Sequence, residues 1–329
     1  MQRVEHIDYL KGFAILMVLL GHIFIAKAPA GMHYPFCEII YSFHMSLFFF
    51  VSGFLAYKTN QIKEKGIVFF IKKRAISLLT PYLFWLFIAP YFIKNSYPTN
   101  IGELMSKFYF IPNLNYWFLP LLFIFNIIYL LYHKLTMGGG GKNQEFKIYC
   151  LICFVGISTG LICKQYYIVV YTIYFASFMF GHYLSKYKLL ELFIEKKYIY
   201  GSSAIILCIM WKFFPMESNG NNFLSLANLV ALFICSYTSC IVFYVLFKQI
   251  HLAKPFKWYL SEMGKYTLAL YLLPLFFFTK NFEWTNNYTH ALINIEALGI
   301  AIVQSFIAYG IAKIIDEIPY IRTLLLGKR

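Results

Sequence analysis

Long apolar segments alternate with short polar connections along the whole chain. Most are close to the 20 or so residues that a helix needs to cross a hydrocarbon core of ~30 Å. The pattern predicts an all-α polytopic integral membrane protein, a bundle of about ten transmembrane helices, with residues 1–329 forming a single transmembrane domain. The predicted spans lie near 10–27, 39–57, 74–93, 116–133, 147–163, 166–185, 198–214, 223–247, 264–280 and 289–312.

Composition and charge agree with this interpretation. Hydrophobic residues make up 60% of the chain and charged residues only 13%, whereas a soluble domain is about half apolar. With a cytoplasmic N-terminus, 23 of the 29 Lys and Arg residues fall on the inner side, so the positive-inside rule predicts that both termini are cytoplasmic. The net charge of +15 is dispersed among short loops, which favours the lipid bilayer as partner and argues against nucleic acid.

The first apolar segment carries three ionisable side chains, which are costly in lipid and therefore usually mark a site. Lys11 and His22 are eleven residues apart, which places them within about 20° of one helix face and about 16.5 Å apart along the axis. Asp8 lies about 40° from that stripe. One face therefore offers a carboxylate and an ammonium near the inner boundary and an imidazole deeper in the membrane. This arrangement indicates two sites along one path through the membrane.

His44 and Glu296 fall at the same predicted depth in the outer leaflet as His22. Each has a structural alternative, because an isolated histidine often bonds a neighbouring carbonyl and a glutamate near the interface reaches water. As a group they are candidate catalytic residues, since an imidazole oriented by a carboxylate takes a proton from a hydroxyl at neutral pH. Such a group suits acyl transfer to a sugar alcohol.

The run Lys72-Lys73-Arg74 opens the third predicted span at the inner boundary. Positive-inside anchoring explains this run as well as a binding site does. In the functional interpretation, Lys73 and Arg74 join Lys11 in binding the phosphates of a cytoplasmic donor, because Arg offers a planar fork and Lys a point charge.

Tyr116 and Trp117 open the fourth predicted span at the outer surface. Aromatic residues at this level usually form the interfacial belt of a membrane protein. The alternative is a stacking wall for the carbohydrate acceptor beside the histidines.

The cysteines do not predict a metal site. Most of the seven lie in or beside the predicted spans, where a free cysteine behaves as a small apolar residue. Cys150-x2-Cys153 lacks the second ligand pair that a zinc site needs, so no metal is expected.

Several motifs follow one another in the order Asp8-x2-Lys11-Gly12 with His22, then Phe43-His44-Met45-Ser46-Leu47-Phe48-Phe49-Phe50-Val51-Ser52-Gly53-Phe54, Lys73-Arg74 before Pro81-Tyr82, Tyr116-Trp117-Phe118-Leu119, and Gly264-Lys265-Tyr266-Thr267 before Leu270-Tyr271-Leu272. Together they resemble the acyltransferase-3 family of integral-membrane O-acyltransferases, and within it the fucose 4-O-acetylase-like branch. The resemblance implies a ten-helix bundle that takes an acyl group, usually acetyl from acetyl-CoA inside, and places it on a sugar hydroxyl of a surface glycan or lipid-linked precursor. It also implies that His22 is the essential histidine and Lys11 its basic partner.

The chain departs from the pattern of the family at three positions. Lys11 stands where much of the family has Arg, Ser77 where many members have a second Arg, and Pro274 where a His often follows. The donor clamp is therefore expected to be weaker, or shared with Lys72 and Lys73.

The expected protein is an O-acetyltransferase of the bacterial cytoplasmic membrane, with acetyl-CoA as donor substrate and no permanently bound cofactor. The alternative is a non-catalytic polysaccharide exporter or flippase that uses the same polar path.

Overall fold

The computed structural model describes residues 4–27, 35–58, 61–93, 116–136, 141–213, 226–273 and 290–328, and these contain helices and no strands. Seven of the described helices are long and apolar enough to cross a membrane. The expected all-α polytopic membrane protein is thereby confirmed. The helices are α1 Glu5–Lys27, α2 Pro35–Lys58, α3 Gln61–Lys65, α4 Ile67–Ile93, α5 Phe118–Thr136, α6 Lys142–Ile162, α7 Tyr166–Lys186, α8 Leu189–Glu195, α9 Lys197–Phe213, α10 Leu226–Gln249, α11 Lys254–Lys265, α12 Thr267–Leu272, α13 His290–Asp316 and α14 Pro319–Leu326.

The ninth predicted span, 264–280, is not one continuous helix in its described part. The chain bends at Tyr266, between the end of α11 and the start of the six-residue α12. The outer half of this span, 274–280, lies outside the described residues. The third and seventh predicted spans correspond to α4 and to the 17-residue α9, and the ten-span arrangement stays a prediction.

Helices α1, α2 and α7 form the centre of the bundle. In α1, 83% of the most apolar stretch is buried inside the protein, against 11% in α6. Because α6 is apolar but little covered by protein, most of its side chains face the lipid. The most extensive helix contacts join α2 to α7 and α1 to α11.

A reciprocal pair of glycines brings α2 and α7 together. A Cβ added at Gly53 would overlap the carbonyl group of Phe178, and one added at Gly181 would overlap that of Phe50. Small residues at such crossings let two helix backbones approach closely, which is how helices commonly associate in membranes. Gly53, which belongs to the second motif, therefore allows α2 and α7 to pack closely.

The same device joins α1 to α11. A Cβ at Gly12 would overlap the carbonyl group of Leu260, and one at Gly264 would overlap that of Asp8. Gly12 and Gly264 belong to the first and last motifs of the chain, so these motifs meet at one crossing. The crossing holds the backbone of α1 in place beside Asp8.

The carboxyl-terminal segment packs against α4. Trp85 Nε1 donates a hydrogen bond to the Leu325 carbonyl at 3.1 Å. Gly327 has a φ of 59° and lies against the carbonyl of Ser77, so a side chain there would be both strained and blocked. Lys328 pairs with Asp316 at 2.9 Å and ties this segment to the end of α13.

Candidate active site

A cavity of about 190 Å³ lies between α1, α2, α4, α5 and α12. On α1 its wall consists of Lys11, Ile15 and Val18, which follow one another at helical spacing. The next residue of that stripe is His22, one turn further toward the carboxyl end of α1. The remaining wall is mostly apolar and includes Met45, Phe48, Ser52, Leu55, Ser77, Leu78, Phe118, Leu119, Leu122 and Tyr271.

Lys11, the cation of the cavity wall on α1, is already paired. Its ammonium lies 2.8 Å from the Asp8 carboxylate, and Asp8 is buried. A buried charge needs such a partner in a medium of low polarity. Lys11 therefore presents a donor group to the cavity without a full uncompensated charge.

Arg74 lies on the face of α4 that lines the cavity, three residues before Ser77 and four before Leu78. Its guanidinium stands 5.1 Å from the centre of the Phe70 ring, an arrangement that favours a cation. Its Nε is buried and has no hydrogen-bond partner among the described residues. Lys73 is half-buried on the adjacent face of α4.

His44 directly precedes Met45 of the cavity wall. It is buried, and its Nδ1 lies 2.7 Å from the carbonyl oxygen of Ile40. A carbonyl only accepts, so Nδ1 carries the hydrogen and Nε2 has the lone pair when the ring is neutral. The bond to a neighbouring carbonyl was the structural alternative for this residue, and it also orients the imidazole. The edge of the ring meets Tyr41 at 4.9 Å between ring centres.

His22 is exposed, although it lies within α1. It is close enough to His44 for the two imidazoles to interact electrostatically. The structure therefore brings the two predicted histidines to one region. Glu296 is half-buried on α13, which packs against α1, and its grouping with the histidines stays a prediction.

Tyr116 and Trp117 turn to different sides. Trp117 stacks on Tyr171 and Tyr174 of α7, with ring centres 5.9 and 6.0 Å away. Tyr116 is buried with its edge against Tyr271, which lines the cavity. The two side chains thus do not form one continuous wall.

The chain matches the family described as an acyltransferase domain over residues 4–312, nearly its whole length. It belongs to this acyltransferase family. The expected acyltransferase family is thereby confirmed, and with the apolar helices described above the protein is a membrane-embedded member of it.

Two curated relatives are similar to a part of the chain. The nodulation proteins NolL of Sinorhizobium fredii and of Mesorhizobium japonicum are each 35% identical to it over 82 residues. These matches cover 24% of this chain and 22% and 21% of the two relatives. The chain thus spans about a fifth of the length of the curated relatives that it matches. No solved structure matches the chain.

In this acyltransferase His182 is a further candidate, and it carries the same sequence signal as His22, an ionisable group inside an apolar helix. His182 of α7 is buried, and its ring meets those of Tyr57, Tyr129 and Tyr132 at 5.5, 4.9 and 5.8 Å between centres. Neither ring nitrogen has a hydrogen-bond partner among the residues that the structure describes.

Two further polar groups outside the predicted site, Glu145 and Asn126, lie inside the protein in the tertiary structure. Glu145 of α6 is buried and pairs with Lys186, and it accepts a hydrogen bond from Tyr187 at 2.8 Å. Burial and this bond to a carboxylate raise the pKa of the Tyr187 phenol. Asn126 of α5 is buried beside the cavity wall, and the signal for it was an amide within an apolar span.

Proposed function

We propose that the protein is an O-acetyltransferase of the bacterial cytoplasmic membrane. It takes acetyl from cytoplasmic acetyl-CoA and transfers it to a hydroxyl of a cell-surface polysaccharide or a lipid-linked sugar. The observation that carries the proposal is the cavity on the stripe from Lys11 to His22. On α1 its wall begins at Lys11, and the same stripe of the helix continues beyond the wall to His22.

The donor enters from the inner side in this proposal. Lys11, Arg74 and Lys73 bind its phosphates near the membrane boundary, with Asp8 orienting Lys11. The apolar wall between Lys11 and the histidines excludes water from the thioester. This exclusion favours transfer to a sugar over hydrolysis.

The acceptor enters from the outer side, where the half-buried Trp117 contributes aromatic surface and the buried Tyr116 supports Tyr271 of the cavity wall. His22 accepts the proton of the sugar hydroxyl while the hydroxyl oxygen bonds to the thioester carbonyl carbon. The carbon–sulfur bond then breaks, and the proton passes from the imidazolium to the sulfur, releasing CoA and the acetyl ester. His44 and Glu296 support His22 in this step.

The proposed orientation places both termini in the cytoplasm. In a background with the native cysteines replaced, a membrane-impermeant thiol reagent applied from outside should label Asn100→Cys and Asn221→Cys, which lie outside the described residues. It should leave Lys142→Cys and Lys196→Cys unlabelled, both exposed in the structure. Labelling of the second pair would contradict the orientation.

The activity is tested with purified protein in detergent, radiolabelled acetyl-CoA and a series of methyl glycosides that begins with methyl fucoside. Labelled acetyl should appear on the glycoside, with an equal amount of free CoA. CoA is best quantified by chromatography, because Cys150, Cys163 and Cys208 are exposed and would react with thiol dyes. His22→Gln serves as the inactive control.

A second assay separates this proposal from the exporter alternative. In proteoliposomes, an exporter or flippase would move a lipid-linked sugar across the bilayer without consuming acetyl-CoA. Transport without any acetyl transfer would therefore overturn the proposed function.

A further inference from the structure

One turn beyond the part of α5 that lines the cavity lies a buried amide, Asn126, to which the proposed function gives no task. Asn126 is four residues beyond Leu122 and seven beyond Leu119 on α5, and both leucines line the cavity. At 3.6 residues per turn these three residues share one helix face. Asn126 is only 2% exposed, so its polar atoms depend on partners inside the protein.

One end of this amide is bonded and the other is not. Asn126 Nδ2 donates to the Leu122 carbonyl at 2.6 Å. The reverse orientation would set two oxygens against each other, so the bond decides which end of the amide is which. Oδ1 is left buried with no hydrogen-bond partner among the described residues. This oxygen is therefore able to accept a hydrogen bond from a bound molecule.

The neighbouring helix supplies the opposite group. α4 packs against α5, and Arg74 lies on the cavity-lining face of α4 with its Nε buried and without a described hydrogen-bond partner. The protein therefore keeps one unsatisfied acceptor and one unsatisfied donor on two packed helices. Buried groups of this kind are costly and are usually satisfied by a bound molecule or water.

We propose that Asn126 Oδ1 and Arg74 Nε bind the amide groups of the pantetheine arm of the acyl-CoA donor, an inference that rests on the proposed function. Each amide of that arm carries one N–H for Asn126 and one carbonyl for Arg74. The rest of the arm is largely apolar, like the cavity wall.

The length of the arm also fits. From the phosphate to the sulfur it has as many backbone bonds as four residues, which is about 14 Å when extended. Lys11 and His22 are about 16.5 Å apart along the axis of α1. An arm that begins at Lys11 and passes Asn126 thus carries its thioester to the histidines.

The test uses Asn126→Leu, which keeps the volume and removes the acceptor. KM for acetyl-CoA should rise about tenfold, as expected for one lost hydrogen bond at a buried group, while kcat stays within about twofold. The melting temperature without donor should not fall, because an unsatisfied polar group has been replaced by an apolar one. Ser236→Ala, which removes a buried hydrogen bond to Ser46 away from the cavity wall, is the matched control with unchanged KM.

A second measurement requires no altered protein. Acetyl-CoA analogues with either pantetheine amide N-methylated cannot donate that bond, so the wild type should bind at least one of them about tenfold more weakly than acetyl-CoA. The Asn126→Leu variant should bind acetyl-CoA and its N-methylated analogues with similar affinity. A folded Asn126→Leu with unchanged KM, or equal wild-type affinity for all donors, would overturn the inference. If the wild type transfers no acetyl at all, the proposed function itself fails.

Discussion

The two ends of the cavity are built differently. Near Lys11 the cations have stabilising neighbours, since Lys11 is paired with Asp8 and the Arg74 guanidinium lies over the Phe70 ring. Near the histidines, His44 is held by its own helix, while His22 is exposed. Stabilised cations suit the binding of an anionic donor, whereas an oriented imidazole beside an accessible one suits proton transfer. In the proposed function, binding therefore belongs to the Lys11 end and chemistry to the histidine end.

The strongest test of this separation is His22→Gln. A glutamine amide occupies similar space and forms hydrogen bonds, but it does not accept a proton at physiological pH. We expect kcat to fall by about 10²-fold or more, the usual contribution of general acid–base catalysis, with donor affinity nearly unchanged. Steady-state kinetics together with equilibrium binding of acetyl-CoA measure the two effects. Near-normal turnover would remove His22 from the chemistry.

The converse test removes the cations near Lys11. Arg74→Ala should weaken binding of acetyl-CoA by about 1.5–3 kcal/mol, the value of a charged hydrogen bond, and Lys11→Ala should act similarly. Lys257→Ala, at an exposed cation of α11 that does not line the cavity, is the control with unchanged affinity. The affinity of each variant for acetyl-CoA is measured by calorimetry. Normal donor affinity in both variants would assign these cations to membrane topology alone.

A smaller effect is expected at His44. Its bond to Ile40 indicates that it positions its neighbour, so His44→Gln should lower kcat by about fivefold, equivalent to about 1 kcal/mol. The loss should be confined to kcat, as for His22. If His44→Gln abolished transfer while His22→Gln did not, the roles of the two histidines would be exchanged.

The smallest effect concerns α11, which holds α1 beside Asp8. Burial raises the pKa of the Glu262 carboxyl, but bonds from Lys265 and Tyr309 outweigh it and the pKa lies below its ordinary value of 4.5. A carboxyl with a depressed pKa stabilises the folded state above its unfolded pKa, and the stabilisation is lost as the pH falls through the folded value. Glu262→Gln should therefore lower the melting temperature slightly at pH 7. The difference should shrink below pH 4.5, and a constant difference at all pH values would contradict this assignment.

Much of the fold and part of the candidate site could be predicted because the bilayer imposes simple rules. An apolar run near 20 residues long becomes a helix, and an ionisable residue within it is rare enough to indicate a site. These rules identified α1 with Asp8, Lys11 and His22. The same rule applied to α7 would have identified His182, so this residue too could be predicted from the sequence.

The sequence by itself determined the all-α membrane architecture and the stripe along α1, because both depend only on local periodicity and on the cost of polar groups in lipid. Only the tertiary structure decided which side chains and helices contact one another. Packing between separate helices produces the glycine crossings between α2 and α7 and between α1 and α11, and the divergence of Tyr116 from Trp117. It also buries Asn126 Oδ1 and Arg74 Nε, which have no hydrogen-bond partner among the described residues, on two helices that pack together. Helical periodicity decides which face a residue occupies, and only the packing of a second helix decides what that face meets.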